Sequence, residues 1–142
     1  MSEKTNKKEA PRGLITPEQA KTLDQAYNCR HKLISSSILE RPDNRSTWFS
    51  IEELEKFLAY AKSEATELGY TLDGIRLYEG AYPEEKGQLG YTTMFLIPTG
   101  STPDNIKTKS LKVMSPGSGD IPGGSGLNMG QGGTPPQANY PQ

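Results

Sequence analysis

Apolar and polar residues alternate most regularly between residues 50 and 69, with the period of an α-helix. Apolar side chains recur there at three- and four-residue steps, and charged residues lie largely on the other side. The apolar positions are Ile51, Leu54, Phe57, Leu58, Ala61, Ala65 and Leu68. Ser50 has the position of an N-cap with Glu53 as its reciprocal partner, and Gly69 can adopt the left-handed conformation that ends a helix. The pattern predicts a helix over residues 51–68.

A second, less regular apolar stripe precedes this helix. Thr16 is a candidate N-cap, and Gln19 stands three residues after it, as a capping box requires. Pro17 suits the first helical position, because the N–H that it lacks has no partner there. Apolar residues continue as far as Ile38, and Pro42 disfavours helix at the residue before it. We therefore expect a helix from residue 17 to the neighbourhood of Ile38.

Two segments after Gly69 have the pattern of strands. Residues 74–82 alternate between apolar and polar positions, which is the two-residue period of a strand with one buried face. Residues 91–97 are apolar on both faces, which indicates deeper burial, and we expect Pro98 to end this strand. A charged turn that contains glycine joins the two segments into an antiparallel hairpin. Residues 47–49 form a short extended piece that is a candidate third strand.

These elements predict an α+β fold, with two helices packed on a small, mainly antiparallel sheet of two or three strands. The domain spans residues 14–100. Residues 1–13 are polar and charged, and we expect them to be disordered. The chain of 142 residues contains 15 glycines and 11 prolines, which are concentrated from Pro116 onward. Because that composition cannot bury much apolar surface, residues 101–142 are predicted to form a flexible Gly/Pro-rich tail.

Charge and composition exclude several classes of function. The formal net charge of −1 gives no general attraction to nucleic acid or to anionic lipid, so we expect neither as a partner. No apolar run has the length of a signal peptide or of a transmembrane helix. Cys29 is the only cysteine and therefore cannot form an intramolecular disulfide. We expect a soluble, cytoplasmic protein that does not insert into a membrane.

The sequence contains no complete catalytic or metal-binding motif. Cys29 and His31 are two residues apart on a predicted helix, where they point about 200° away from each other. We expect Cys29 to be half-buried and His31 to lie on the surface. One His and one Cys cannot supply the three or four ligands of a zinc site, and no acidic run has the spacing of a calcium loop. We expect no cofactor and no metal, and the sequence favours a protein that is not an enzyme.

Four charged residues are candidates for a ligand site. Asp43 and Arg45 precede the short extended piece, and Arg76 and Glu79 lie on the first strand of the hairpin. If the extended piece pairs with that strand, the four side chains converge at one end of the sheet. Arginine offers planar, bidentate donors for a carboxylate or a phosphate. The alternative, which we favour, is structural: Asp43 bonds its own loop and Arg45 pairs with a neighbouring acid.

Aromatic residues suggest a second kind of site. Trp48, Tyr78, Tyr82 and Tyr91 could form an exposed aromatic surface, and aromatic residues are enriched at protein interfaces. Packing into the core explains Trp48 at least as well. No basic patch is interleaved with these aromatic residues, which argues against binding of single-stranded nucleic acid.

Three motifs resemble an uncharacterised group of small proteins of Bacteroidetes-type bacteria. They are a D-x-R-S-x-W loop before a helix (residues 43–48), a G-I-R-x-Y strand (residues 74–78) and a T-T-x-F strand (residues 92–95), followed by a Gly/Pro-rich end. The resemblance covers residues 15–100. It implies a cytoplasmic bacterial origin, and it implies no activity and no site residue.

Two hypotheses of function follow from the sequence. The first is a non-enzymatic protein-interaction module, or a subunit of a protein assembly, whose partner is a second protein or a second copy. The alternative is a small-ligand-binding protein or a small hydrolase that uses Asp43, Arg45, Arg76 and Glu79. A closed pocket lined by those four side chains would favour the alternative.

Overall fold

The computed structural model describes residues 9–102, 119–128, 131–132 and 137–142. The helices are α1 (Pro17–Leu33), a π-helical segment that continues it (Ile34–Leu39), and α2 (Ile51–Glu67). The strands are β1 (Thr47–Trp48), β2 (Thr71–Ala81), β3 (Thr92–Ser101), β4 (Gly119–Asp120) and β5 (Gln131–Gly132). Strands β2, β3 and β4 form an antiparallel sheet with β3 in the middle, and β1 pairs with β5 apart from it. The predicted α+β class is confirmed.

Helix α1 begins with the predicted capping box. The backbone N–H of Gln19 donates to the Thr16 hydroxyl at 3.1 Å, and the Thr16 N–H donates to the Gln19 side chain at 2.8 Å. The π-helical segment carries the helical rod to Leu39, and Glu40 ends it in the left-handed conformation at φ 57°. No residue of α1 is buried. Polar contacts, described below, therefore hold this helix to the rest of the fold.

Helix α2 has the predicted ends but a narrower buried face. Ser50 accepts from the N–H of Glu53 at 3.0 Å, and Gly69 follows the helix at φ 84°. Phe57, Ala61 and Ala65 are buried. The prediction that Ile51 and Leu58 belong to the packed face is wrong, because they are 70% and 46% exposed. At 100° per residue these two side chains point at least 100° away from Phe57, and the small sheet does not reach around to them.

Strand β3 continues through Pro98 to Ser101, so the prediction that this proline ends the strand is wrong. Pro98 lies opposite Ile75 of β2, and its carbonyl accepts from the N–H of Ile121 at 3.1 Å on the other side. The proline nitrogen thus points away from β2. Because the β2–β3 ladder needs no N–H at that position, the proline removes no hydrogen bond from it.

The core lies between α2 and the sheet. Phe57, Ala61 and Leu96 form its buried centre, and half-buried residues pack around it. These are Phe49, Leu54, Leu72, Ile75 and Leu127. In the part of the chain that the structure describes, no helix is both long enough and apolar enough to cross a membrane.

Residues 119–128 pack against the sheet, although the sequence analysis assigned them to a flexible tail. Ile121 is buried, and Leu127 exchanges two backbone hydrogen bonds with Leu96, at 2.9 and 3.0 Å. The segment has only two aliphatic residues among glycines and polar residues, so it lacks the apolar periodicity of a strand. Backbone pairing and one buried side chain hold it instead. Residues 1–8 of the predicted disordered N-terminus and residues 103–118, 129–130 and 133–136 of the predicted tail lie outside the described residues.

Candidate functional site

Asp43 is the most buried charged residue of the described chain, with no exposed surface. Its carboxylate accepts from the backbone N–H of Thr92 at 2.8 Å and from the Thr92 hydroxyl. Its own N–H donates to the Ser35 hydroxyl at 2.9 Å. Asp43 therefore links the π-helical segment to the start of β3, and its carboxylate oxygens are engaged within the protein.

His31 completes this link through the Nε2 atom of its ring. Its Nε2 lies 2.8 Å from the carbonyl oxygen of Asp43 and 3.4 Å from the Ser35 hydroxyl. A carbonyl can only accept, so Nε2 carries a proton and cannot take one from Ser35. The expected exposures were the wrong way round: His31 is partly buried by this contact, and Cys29 is exposed on the far side of the helix.

Arg45 joins the loop after the π-helical segment to α1. Its side chain is 3% exposed, and its Nη2 donates to the carbonyl and the carboxylate of Asp24, at 2.8 and 3.2 Å. The guanidinium carbon lies 5.5 Å from the centre of the Tyr27 ring. Its Nε has no hydrogen-bond partner among the described residues. One donor of a buried cation is therefore left without an acceptor.

Arg45 and Glu79 line the same cavity, which we call the Arg45 cavity. It has a volume of about 140 Å³ and lies between α1, the loop before β1, and the sheet. Its walls include Tyr27, Arg45, Ser46, Thr47, Glu79 and Met94. Burial raises the pKa of the Tyr27 hydroxyl, and the negative charges of Glu79 and Asp43 raise it further. The structure thus brings together two of the four charged candidates.

Arg76 lies on the opposite face of the sheet. Its Nη1 is 2.7 Å from a carboxylate oxygen of Asp120, and the Tyr78 hydroxyl donates to the same carboxylate. The hydrogen bond with Tyr78 and the charge of Asp120 raise the pKa of Arg76. Residues 76 and 79 are three apart on one strand, so they project to opposite faces. The four charged candidates consequently do not form one pocket.

The four aromatic candidates do not form one surface. Trp48 is 60% exposed at β1. The Tyr82 hydroxyl lies 3.2 Å from the side-chain oxygen of Asn128, and Arg41 lies over the Tyr91 ring at 4.3 Å. Tyr78 stacks on Phe95, with ring centres 5.3 Å apart. Tyr82 and Tyr91 pair across the hairpin and line one surface pocket beside Arg41, whereas Trp48 lies on a separate pair of strands.

The outer edge of β2 is a further candidate binding surface. The N–H of Tyr82 donates to the carbonyl of Tyr91 at 3.0 Å, so the even-numbered residues of this register bond to β3. In an antiparallel pair the intervening residues direct N–H and C=O away from the partner. These outward-directed residues are Ile75, Leu77, Glu79 and Ala81. Within the described ranges, no strand pairs with this edge, and Leu77 is 60% exposed.

Several residues that shape these sites were not selected from the sequence. Asp24 and Tyr27 surround Arg45, and their three-residue spacing on a predicted helix was a usable signal. Thr92 holds Asp43, and Asp120 holds Arg76. Those two contacts join residues 44 or more positions apart, and no local sequence pattern predicts them.

No metal centre is present among the described residues, which contain no group of three or more His, Cys, Asp or Glu side chains placed to hold an ion. Comparison of the chain with protein-family models, with curated proteins and with solved structures gives no match.

Proposed function

We propose that the protein is a non-enzymatic interaction module that binds an extended protein strand at the outer edge of β2. The observation that carries the proposal is the row of outward-directed N–H and C=O groups on residues 75, 77, 79 and 81, which no described strand covers. An unpaired strand edge is a template for another strand, and backbone pairing of this kind is a common mode of peptide recognition.

The state of the polar residues supports a binding rather than a catalytic role. The Asp43 carboxylate accepts two hydrogen bonds from Thr92, and the Nε2 of His31 donates to a carbonyl. The Asp43 carboxylate has no exposed surface, and the Nε2 of His31 already holds a proton, so neither the carboxylate nor this nitrogen can take a proton from a substrate. Cys29 is exposed, and His31, two residues further along α1, points away from it. These observations support the expectation that the protein is not an enzyme.

A second copy of the chain is the strand that we propose first. The outward N–H and C=O groups of β2 belong to its odd-numbered residues. Two β2 edges that pair antiparallel therefore place odd-numbered residues of one copy opposite odd-numbered residues of the other. With Leu77 opposite its own equivalent, the two exposed leucines cover each other and Arg76 lies opposite Tyr78 of the second copy. A two-residue shift in one direction places Arg76 opposite Arg76, which repels, and a shift in the other places Leu77 opposite Glu79. The mutual cover of the two exposed leucines thus favours the register with Leu77 opposite its own equivalent.

Leu77→Pro tests this edge directly. Proline removes the outward N–H at residue 77 and leaves the β2–β3 ladder intact, because that N–H takes no part in the ladder. Leu77→Ala is the matched control, since it removes the same side chain and keeps the N–H. Light scattering on the full chain measures the mass of each variant, for which a monomer gives 15.5 kDa.

The proposal expects a mass near that of a dimer for the wild type, a weaker dimer for Leu77→Ala, and a monomer for Leu77→Pro. A wild type that stays monomeric shifts the test to a partner protein. In that case the wild type and Leu77→Ala would capture the same protein from a lysate and Leu77→Pro would not. Capture by Leu77→Pro as well as by the wild type, or by none of the three, would overturn strand addition at β2. Cytoplasmic location and bacterial origin stay predictions from the sequence.

A further inference from the structure

Residues 119–128 lie on the sheet in the way that a bound peptide lies in a groove. The surface that they cover, which we call the β3 groove, is the side of β3 away from β2 together with Glu64 of α2. The N–H of Ile121 donates to the carbonyl of Pro98 at 3.1 Å, and Leu127 exchanges two backbone bonds with Leu96. Main-chain bonds of this kind hold peptides that add to the edge of a sheet.

Side chains of the domain contact two polar residues of the segment. Arg76 donates to the Asp120 carboxylate at 2.7 Å, and the Tyr78 hydroxyl donates to the same carboxylate. Glu64 accepts from the N–H and the hydroxyl of Ser125, at 2.5 and 3.0 Å. The groove thus recognises an acid at one position and a hydroxyl residue five positions later.

The space around the segment also depends on its sequence. Ile121 is 4% exposed. A Cβ on Gly126 would lie 2.8 Å from the end of the Ile97 side chain and 3.1 Å from the carbonyl oxygen of Leu96, whereas a Cβ on Gly119 would meet nothing within 4 Å. The groove therefore has room for an aliphatic side chain at residue 121 and disfavours any side chain at residue 126.

The connection that precedes the segment is longer than its position in the sheet requires. Strand β3 ends at Ser101 and β4 begins at Gly119, so residues 102–118, 17 residues, join two neighbouring antiparallel strands. Such a pair needs a loop of only about two to five residues. Ile121 is the one buried residue among residues 119–128, so release of the segment exposes little apolar surface. The segment can therefore leave the groove and stay attached to the domain.

We propose that the β3 groove is a binding site for an extended segment of a partner protein, and that residues 119–128 occupy it as a built-in competitor. The partner segment has the same pattern: an acid, then an aliphatic residue, then a hydroxyl residue and a glycine at the positions of Ser125 and Gly126. A second copy of the chain offers only an identical segment, which competes poorly because the attached one has the higher effective concentration. The occupant is therefore a different protein whose segment binds more tightly.

The experiment uses the ¹⁵N-labelled full chain and, as the probe, a synthetic peptide with the sequence of residues 119–128. Two variants of the full chain undock its own segment. Ile121→Asp places a charge at a buried position, and Gly126→Val overlaps with the Leu96 carbonyl. The Leu96 amide reports occupancy of the groove by NMR, because it donates to the carbonyl of Leu127 at 2.9 Å. Its signal should shift in both variants and return to the wild-type position when the peptide binds.

The peptide is added up to about 2 mM, which detects complexes with a Kd in the millimolar range. It should bind the two variants at least about tenfold more tightly than the wild type, whose groove is already occupied. A peptide with Gly126→Val should bind the Ile121→Asp variant at least about tenfold more weakly than the parent peptide. A peptide with Gly119→Val is the matched control and should bind as the parent does, since residue 119 has free space around it.

Three results would overturn the proposal. The first is a Leu96 amide that does not return to its wild-type position in either variant. A variant that unfolds without the peptide and stays unfolded with it counts in the same way. The second is equal binding to the wild type and to the variants, because the chain's own segment would then not compete. The third is equal binding of the Gly126→Val and Gly119→Val peptides, because the groove would then not recognise the sequence of its ligand.

The β3 groove is independent of strand addition at the outer edge of β2, because β3 lies between the two surfaces. The double variant Leu77→Pro with Ile121→Asp is therefore expected to bind the peptide as Ile121→Asp alone does. A monomeric wild type whose Ile121→Asp variant binds the peptide would count against the second copy as the strand at β2 and leave the groove in place.

Discussion

Ser125 donates both its backbone N–H and its hydroxyl to the carboxylate of Glu64, at 2.5 and 3.0 Å, across 61 residues of sequence. Glu64 lies on α2, and Ser125 belongs to the segment 119–128 that packs beside β3. The backbone pairing of Leu127 with Leu96 attaches the same segment to the sheet. The segment is thus held from two sides, once by a helix side chain and once by a strand.

The contact between Glu64 and Ser125 should make docking of the segment sensitive to acid. The hydrogen bond from the Ser125 N–H lowers the pKa of Glu64 from its ordinary value of 4.5. A lowered pKa in the docked state means that the stabilisation is fully present above that value and is lost as pH falls through the lower, docked-state pKa. Hydrogen exchange of the Ser125 amide, compared at equal intrinsic exchange rates, should therefore lose protection at low pH.

Two substitutions on α2 test the same contact. Glu64→Gln should show reduced protection of the Ser125 amide already at pH 7, whereas Glu67→Gln should match the wild type. Protection unchanged in Glu64→Gln would contradict this contact.

The buried carboxylate of Asp43 should stabilise the fold through its bonds to Thr92. Asp43→Ala leaves the Thr92 N–H without an acceptor and should lower the free energy of unfolding by about 2 to 3 kcal/mol. Asp43→Asn can keep both bonds as neutral ones, because the Thr92 hydroxyl can accept from the amide, and should lower it by about 1 kcal/mol. Urea unfolding measures both variants. Equal losses in the two would show that the hydrogen bonds to Thr92 do not carry the effect.

Local rules predicted the helices well, because their signals lie within a few residues. The capping box of Thr16 and Gln19 depends on spacing alone and forms in full, and at Ser50 the predicted bond from the Glu53 N–H to the hydroxyl forms. The same holds for the left-handed Gly69. The expectation that Pro98 ends its strand was wrong. A proline interrupts the pairing with a neighbouring strand only when its nitrogen faces that strand, and the nitrogen of Pro98 faces away from β2. That depends on the third strand, which the local pattern does not contain.

The candidate site was predictable only in part, for a related reason. Strand alternation alone places Arg76 and Glu79 on opposite faces, so the sequence already argued against a cluster that contains both. The partner of Arg76 is Asp120, 44 residues away in a glycine-rich stretch without periodicity. The partner of Arg45 on α1 is Asp24, which only the packing of the loop selects. A local sequence pattern does not predict side-chain contacts between segments that are distant in the chain.

The narrow face of α2 can be tested with two adjacent residues. Phe57 is 7% exposed and packs against Leu96, whereas Leu58 is 46% exposed. Phe57→Ala should lower the free energy of unfolding by about 3 to 5 kcal/mol, because it leaves a cavity in the core. Leu58→Ala should lower it by less than about 1 kcal/mol, as expected of a partly exposed side chain. Thermal or urea unfolding measures both variants, and similar losses would mean that α2 packs through the wider stripe that the sequence suggested.

Gly100 and Gly119 lie opposite each other in the pairing of β3 with β4, and they differ in the space around them. A Cβ on Gly100 would lie 2.5 Å from the carbonyl oxygen of Thr71 and 2.9 Å from the Ile121 side chain, whereas a Cβ on Gly119 would meet nothing within 4 Å. Gly100→Ala must therefore push apart β2 and the docked segment, and it should lower the free energy of unfolding by about 1 to 3 kcal/mol. Gly119→Ala should change it by less than about 0.5 kcal/mol. Urea unfolding gives the stability of each variant, and hydrogen exchange at Ile121 reports whether the segment stays docked. If Gly100→Ala is as stable as Gly119→Ala and keeps Ile121 protected, the close packing of segment 119–128 on the end of β3 is refuted.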